Sequence, residues 1–258
     1  GWNQTKADWQ RLLDLFPDSC FVGRLGDELV ATSTLAKYGD VGWIGMVLVD
    51  ESHRRRGYGS DLFERALGAA HDRRLEVVGL DATDAGREVY RQCGFESVVG
   101  IDRWAGTLQN AADGDVDAGR VETLDSADSI AGFDRTRVGT DRSVLLEHII
   151  DADSTTALRL DRDGRTRGYA VVRPGRTHKQ IGPIVAVNGD DASALLSNVT
   201  ERVDESVIVD ALRGDRTELL LRRFGLDVQR RLHRMTEGEP RSVLEGDAVI
   251  AAAGFEWG

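Results

Sequence analysis

The run from Val41 to Val49 is almost unbroken in apolar residues and rich in β-branched ones, which predicts a strand buried on both faces. From Asp61 to Arg74 the pattern changes. Leu62, Phe63, Ala66, Leu67 and Ala70 fall on one side of a 3.6-residue period, so this stretch predicts an amphipathic helix. Upstream, Trp9, Leu12, Leu13 and Phe16 mark one face of a helix over 7–15 that Pro17 ends. Strands are expected at 21–25 and 29–35, joined at Gly26, Asp27 and Glu28 as a hairpin. Downstream, 76–80 reads as a strand, 85–93 as a short helix stopped by Gly94, and 96–104 as a further strand.

The second half repeats this plan. Segments 157–160 and 168–172 form a hairpin around 161–164, and Ile181 to Val187 parallels Ile44 to Val49. Val207 to Ala211 parallels Val78 to Ala82, and Phe224-Gly225-Leu226 parallels Cys93-Gly94-Phe95. Between the halves, 107–119 is polar, acidic and glycine-containing, and reads as a linker. A chain of 258 residues suits two domains. The division expected is 1–106, a linker 107–119, and 120–258.

Between the central strand and its helix lies a turn with Arg54, Arg55, Arg56, Gly57, Tyr58, Gly59 and Ser60. A turn that feeds a helix start leaves several N–H groups unpartnered, and the helix dipole adds positive potential there. Glycines let a bulky anion approach the backbone, and arginines supply charge for phosphates. The stretch therefore reads as a pyrophosphate cradle of the strand–turn–helix type. Leu62 stands where a dinucleotide fingerprint needs its third glycine, and no Gly-Lys-Ser/Thr follows, which excludes both commoner phosphate loops.

Arg54-x-x-Gly57-x-Gly59, preceded by Val47, Leu48 and Val49, resembles the acetyl-CoA loop of the GNAT superfamily of N-acetyltransferases. Leu80-Asp81-Ala82-Thr83, Tyr90 and Cys93-Gly94-Phe95 resemble that family's next strand, helix and Gly-Phe signature. The resemblance implies an α/β fold with a mixed sheet, present as two tandem GNAT-like acyl-CoA N-acyltransferase folds. The first copy starts without the strand and helix that open the family fold, so a segment is expected before Gly1. It further implies that Val47–Val49 pair with the pantetheine arm, that Arg55–Ser60 hold the pyrophosphate, and that Arg54 holds either the phosphate or the loop itself. A backbone N–H near Val47 would receive the thioester oxygen.

Tyr90 matches the family tyrosine near the CoA sulfur and is the expected acid. Thr83 either bonds the pantetheine or caps a helix. Asp81 is the candidate base, although the second copy keeps Asp210 at the matching place, which argues for a structural acid. His53 and a water chain are further options for the base. In the second copy the loop reads Asn188-Gly189-Asp190-Asp191, without arginine, so CoA is not expected there. That degenerate domain is expected to close one side of the acceptor cleft or to build a homodimer. Its ending, 253–258, also resembles fused domains of this kind.

Net charge is −11, with 44 acidic against 33 basic residues, which argues against a general nucleic-acid binder. Lysine occurs only at 6, 37 and 179, and the acidic, lysine-poor balance reads as adaptation to concentrated salt, or as a GC-rich genome. Cys20 and Cys93 suggest neither disulfide nor metal site, and no run is long enough to cross a membrane. The expected protein is a cytoplasmic N-acetyltransferase that uses acetyl-CoA without a metal. Its acceptor is a small-molecule or peptide amine. An acyl-CoA-binding sensor without turnover is the alternative, and a purely structural partner protein a more distant one.

Overall fold

The computed structural model of the protein describes residues 2–110, 120–239 and 243–258. The first half comprises α1 (Lys6–Leu15), β1 (Cys20–Leu25), β2 (Glu28–Tyr38), β3 (Val41–Val49), α2 (Tyr58–Asp72), β4 (Val77–Ala82), α3 (Asp84–Gln92) and β5 (Glu96–Thr107). The second comprises β6 (Arg120–Thr123), α4 (Asp128–Val138), α5 (Ser143–Ile150), β7 (Thr156–Arg162), β8 (Arg165–Arg173) and β9 (Lys179–Ala186). It continues with α6 (Gly189–Thr200), β10 (Ser206–Leu212), α7 (Asp215–Arg223), β11 (Asp227–Gly238) and β12 (Val249–Ala251). Most of the linker expected at 107–119 lies outside the described residues, and Thr107 itself ends β5.

Among the described residues all the strands join one mixed sheet, ordered β1-β2-β3-β4-β11-β5-β10-β12-β9-β8-β7-β6. The order shows an exchange. β11, late in the chain, pairs antiparallel with β4 of the first half, while β5 of the first half pairs antiparallel with β10 of the second. The two exchanged strands also pair with each other along most of their length. A division of the chain near 106–120 therefore does not divide the sheet.

Strand alternation distributes the core between the faces. Ile44, Leu80 and Met235 pack with Phe63 and Phe95 beneath α2 and α3. Leu195 of α6, Leu221 of α7 and Phe224 at the end of α7 cover Ile184 and Val209. Trp43, next to Ile44 and so on the opposite face, packs with Leu12 of α1, Ile130 of α4, Leu146 of α5 and Trp257. The segment 252–258 is buried on this second face.

Candidate active site

β3 and β4 run parallel only over Val41↔Val77, Gly42↔Val78 and Trp43↔Gly79. Beyond Trp43 the two strands diverge, so the β4 side of Ile44–Val49 has no strand partner among the described residues. On its other side β3 stays paired with β2, through a bulge that places Met46 and Val47 of β3 against Ser33 of β2, between Thr32↔Leu48 and Thr34↔Gly45. Met46 sits in the bulge at φ 51°. Its carbonyl accepts a hydrogen bond from Thr32 Oγ1 at 2.8 Å. In a planar trans peptide the N–H points opposite the carbonyl, so the Val47 N–H points away from β2, into the splay. Val47, Leu48 and Val49 are half-buried there, unlike the fully buried first part of the strand.

The splay opens toward the start of α2. Gly57 precedes the helix at φ 89°, a left-handed conformation suited to glycine, and a Cβ there would meet open space. No side chain caps the helix. Its first intrahelical bond is Asp61 N–H to Gly57 O, which leaves the N–H groups of Tyr58, Gly59 and Ser60 for a ligand. Gly59 serves packing, since a Cβ would come within 3.2 Å of the Val49 side chain. Arg54 folds back onto the strand end, with Nε donating to Val49 O at 3.3 Å and Nη1 3.4 Å from Glu51. Arg55 and Arg56 are exposed, and neither forms an ion pair among the described residues.

The matching places in the second half are occupied by the chain itself. β12 inserts between β9 and β10, pairing with both, where the first half leaves its splay. The start of α6 is capped by Asn188, which accepts from Asp191 N–H at 2.8 Å. Asp191 in turn accepts from Arg162 and Arg167 at 3.0 and 3.1 Å.

The floor of the splay widens into a cavity of about 160 Å³. Ile44–Val47 and Leu80–Thr83 line it from the first half, with Tyr90 of α3. Arg230 and Leu232 of β11 and Phe255 and Glu256 line it from the second. Trp2 and Gln4 complete the wall. They are held there because the Asn3 carboxamide accepts from the N–H groups of Thr177 and His178, each at 3.1 Å, stapling the leading segment to the β8–β9 loop.

Tyr90 packs on Phe63 with ring centroids 4.7 Å apart, and Gly86 leaves room for its ring. Its hydroxyl has no hydrogen-bond partner among the described residues. Burial, with a smaller contribution from Cys93, pushes the phenol above its ordinary range and keeps it protonated. Thr83 caps α3, accepting from Gly86 N–H at 3.2 Å, and its hydroxyl proton stays available to the cavity.

The Asp81 side chain is fully buried and both its oxygens are taken by Arg234, at 3.0 Å each. Arg234 also lies 4.5 Å from the Trp43 ring centroid and donates to Leu244 O. Burial outweighs Arg234 and holds the Asp81 carboxyl above the usual range. The counterpart Asp210 is held the same way by Arg103, at 2.7 and 2.8 Å. Each pair ties one exchanged strand to the half that receives it: β11 to β4, and β5 to β10.

Sequence reasoning did not single out Glu256, Gln4 or Arg230. The available signal was Gly45, between Ile44 and Met46, where a Cβ would lie 3.0 Å from the Glu256 backbone. Among the described residues no group of His, Cys, Asp and Glu is arranged to hold a metal, and no helix is long and apolar enough to cross a membrane.

Comparisons with known proteins agree with this fold. The sequence model of the Acetyltransferase (GNAT) family matches residues 2–95, and that of the Acetyltransferase (GNAT) domain matches residues 130–250. The holothin acyltransferase of a Pseudoalteromonas species is 24% identical over 81% of this chain and 71% of its own. The crystal structure of a protein assigned as an acetyltransferase in Pyrococcus horikoshii superposes with a TM-score of 0.84 at 22% identity, covering 98% of this chain and 85% of that one. A tandem GNAT protein from the clavulanic acid biosynthesis pathway superposes at 0.58 with 16% identity, over 92% and 89% of the two chains. With both halves matched and the tandem architecture shared, the chain belongs to the GNAT acetyltransferases, as an acyltransferase that carries a second domain of the same fold.

Proposed function

We propose that the protein transfers an acetyl group from acetyl-CoA to a primary amine. The observation that carries this reading is the uncapped start of α2 at the mouth of the β3–β4 splay. Three free N–H groups, the helix dipole and the unpaired Arg55 and Arg56 suit a diphosphate, with Gly57 allowing its approach. Arg54 braces the loop rather than the ligand, as its bond to Val49 O favours. The free edge of Val47–Val49 suits the two amides of a pantetheine arm, bound as an added strand. Thr83 is placed to donate a further hydrogen bond to it. The second half, with its own strand in the equivalent gap and its helix start capped, is proposed to bind no CoA.

Acetyl-CoA supplies a thioester whose carbonyl carbon the amine attacks as the C–S bond breaks. The Val47 N–H receives the carbonyl oxygen as charge develops there. Tyr90 gives its hydroxyl proton to the departing sulfur, and is restored by a proton that the nitrogen loses as the amide forms. We propose that Asp81 acts as a structural ion pair, because Arg234 occupies both its oxygens, and that it does not serve as the base. The sheet unit of the catalytic domain is then 1–106 completed by β11. The second half closes the acceptor cleft, which its contributions to the cavity favour over dimer building. We place the enzyme in the cytoplasm, and read its acidic, lysine-poor composition as adaptation to salt.

Release of free thiol from acetyl-CoA in the presence of amines tests the reading. The non-catalytic sensor is favoured instead by calorimetric CoA binding without turnover for any amine. A flat thermal shift on adding CoA removes both.

A further inference from the structure

Resting on the acetyltransferase reading, the wall of the cavity across from α3 defines the class of acceptor. Two features stand out there. Glu256 is only 2% exposed, yet it lines the cavity. Its two oxygens have different partners: Arg173 Nη2 donates to Oε1 at 3.0 Å and Gln4 Nε2 to Oε2 at 2.6 Å. Asp8 lies 3.6 Å from Arg173 but is paired with Arg11 at 3.0 Å, so this buried cluster sets two carboxylates against two guanidinium groups. Burial raises its carboxyl, and Asp8 adds to the effect against Arg173 and Gln4. Each Glu256 oxygen accepts one hydrogen bond in that cluster, and a carboxylate oxygen can accept a second from an ammonium that enters the cavity.

Its placement is built. A Cβ at Gly45 would strike the Glu256 backbone, and one at Gly254 would lie 2.8 and 2.9 Å from its carboxylate oxygens. Gly45 makes room for the backbone of Glu256 and Gly254 for its carboxylate. The backbone on either side is clamped, with Trp43 Nε1 donating to Phe255 O and Tyr38 Oη to Trp257 O, each at 3.0 Å.

The second feature is Arg230. It lines the same cavity, is exposed, and lies 5.7 Å from the Trp2 ring centroid. Among the described residues it has no carboxylate partner, whereas its β11 neighbours His233 and Arg234 are paired with Asp84 and Asp81. A cation at the mouth does not attract a simple amine; it suits a negative group. At about 160 Å³ the space suits a small acceptor.

We propose that the acceptor is a small amine that also bears an anionic group, with Glu256 receiving its ammonium and Arg230 its anion. Glu256 and Arg230 are positioning residues in this scheme.

The test is thiol release from acetyl-CoA by the full chain, with acceptors in matched pairs. The ω-amino acids from glycine to 6-aminohexanoate and phosphoethanolamine are compared with alkylamines of equal length. The expected result is a kcat/KM about tenfold or more higher for the anionic member of a pair, the scale of one charge-assisted hydrogen bond. Arg230→Gln, at an exposed position, removes that preference by raising KM for anionic acceptors alone. Glu256→Gln raises KM for every amine while the Kd for CoA stays constant, and Glu256→Asp restores part of the loss. A preference for plain alkylamines, or a preference that survives Arg230→Gln, overturns the proposal even if Glu256→Gln fails to fold. CoA binding without turnover of any acceptor in the panel overturns it too. Absence of CoA binding overturns the acetyltransferase reading instead.

Discussion

Asp81→Asn separates a structural carboxylate from a catalytic one. The change keeps the side chain's shape and removes its charge. Arg234 is then left in the core with a side-chain exposure of 0% and no counter-ion. Breaking one side of a buried pair costs about 3–5 kcal/mol. Unfolding entropy near about 2.1 cal/mol/K per residue gives roughly 0.5 kcal/mol/K for this length, so Tm is expected to fall by about 6–9 °C. The double substitution Asp81→Leu, Arg234→Met is expected to recover most of that loss. The reason is that burial already holds the Asp81 carboxyl above its usual range, so the intact pair contributes little net stability. Calorimetric melting gives the first quantity. Thiol release well below both transitions gives the second, with kcat of Asp81→Asn expected within about threefold of the parent. Loss of activity by the roughly 10²–10⁴ of a missing general base, with Tm unchanged, would refute the structural assignment.

Tyr90→Phe should lower kcat by about tenfold or more with little change in the Kd for CoA; an unchanged kcat removes the acid role. Because burial raises the Tyr90 phenol, the alkaline loss of kcat should fall above its ordinary value of about 10, and should vanish in the phenylalanine variant. At the acid end, Glu256 must be ionised to hold an ammonium. Its carboxyl is raised by burial and by Asp8 of α1, against Arg173 of β8 and Gln4, so kcat/KM should drop with falling pH at a value above the ordinary glutamate figure of about 4.3. A pH–rate profile for Glu256→Gln that keeps this limb contradicts the assignment.

Elements with a strong period were readable from the sequence. β3, α2, β4, α3 and β5 lie within a few residues of their expected limits, because one face of each is apolar. Internal similarity also exposed the duplicated plan, and Asp210 and Asp81 turn out to be paired with arginine in the same way. Other elements carried too weak a pattern. α4 has Gly132 and the buried Asp134 within a weakly amphipathic sequence, α5 is short, and β12 has three residues, too few for any period. The exchange of β5 and β11 was hidden for a different reason. Both strands look alike from either half, and only pairing partners distant in sequence decide where each lies. In the candidate site, the glycine turn that opens α2 was legible because local sequence builds it. The acceptor wall was not, since Gln4, Arg230 and Glu256 come together only through tertiary contacts.

The central claim is that one diphosphate-bearing thioester carrier binds per chain, at the start of α2 and along the free edge of β3. Calorimetric titration of CoA into the parent protein and into Gly57→Glu tests it most directly. The account predicts a single site in the parent and none in the variant, whose second half stays folded. Two sites, or a single site that survives Gly57→Glu, would contradict it.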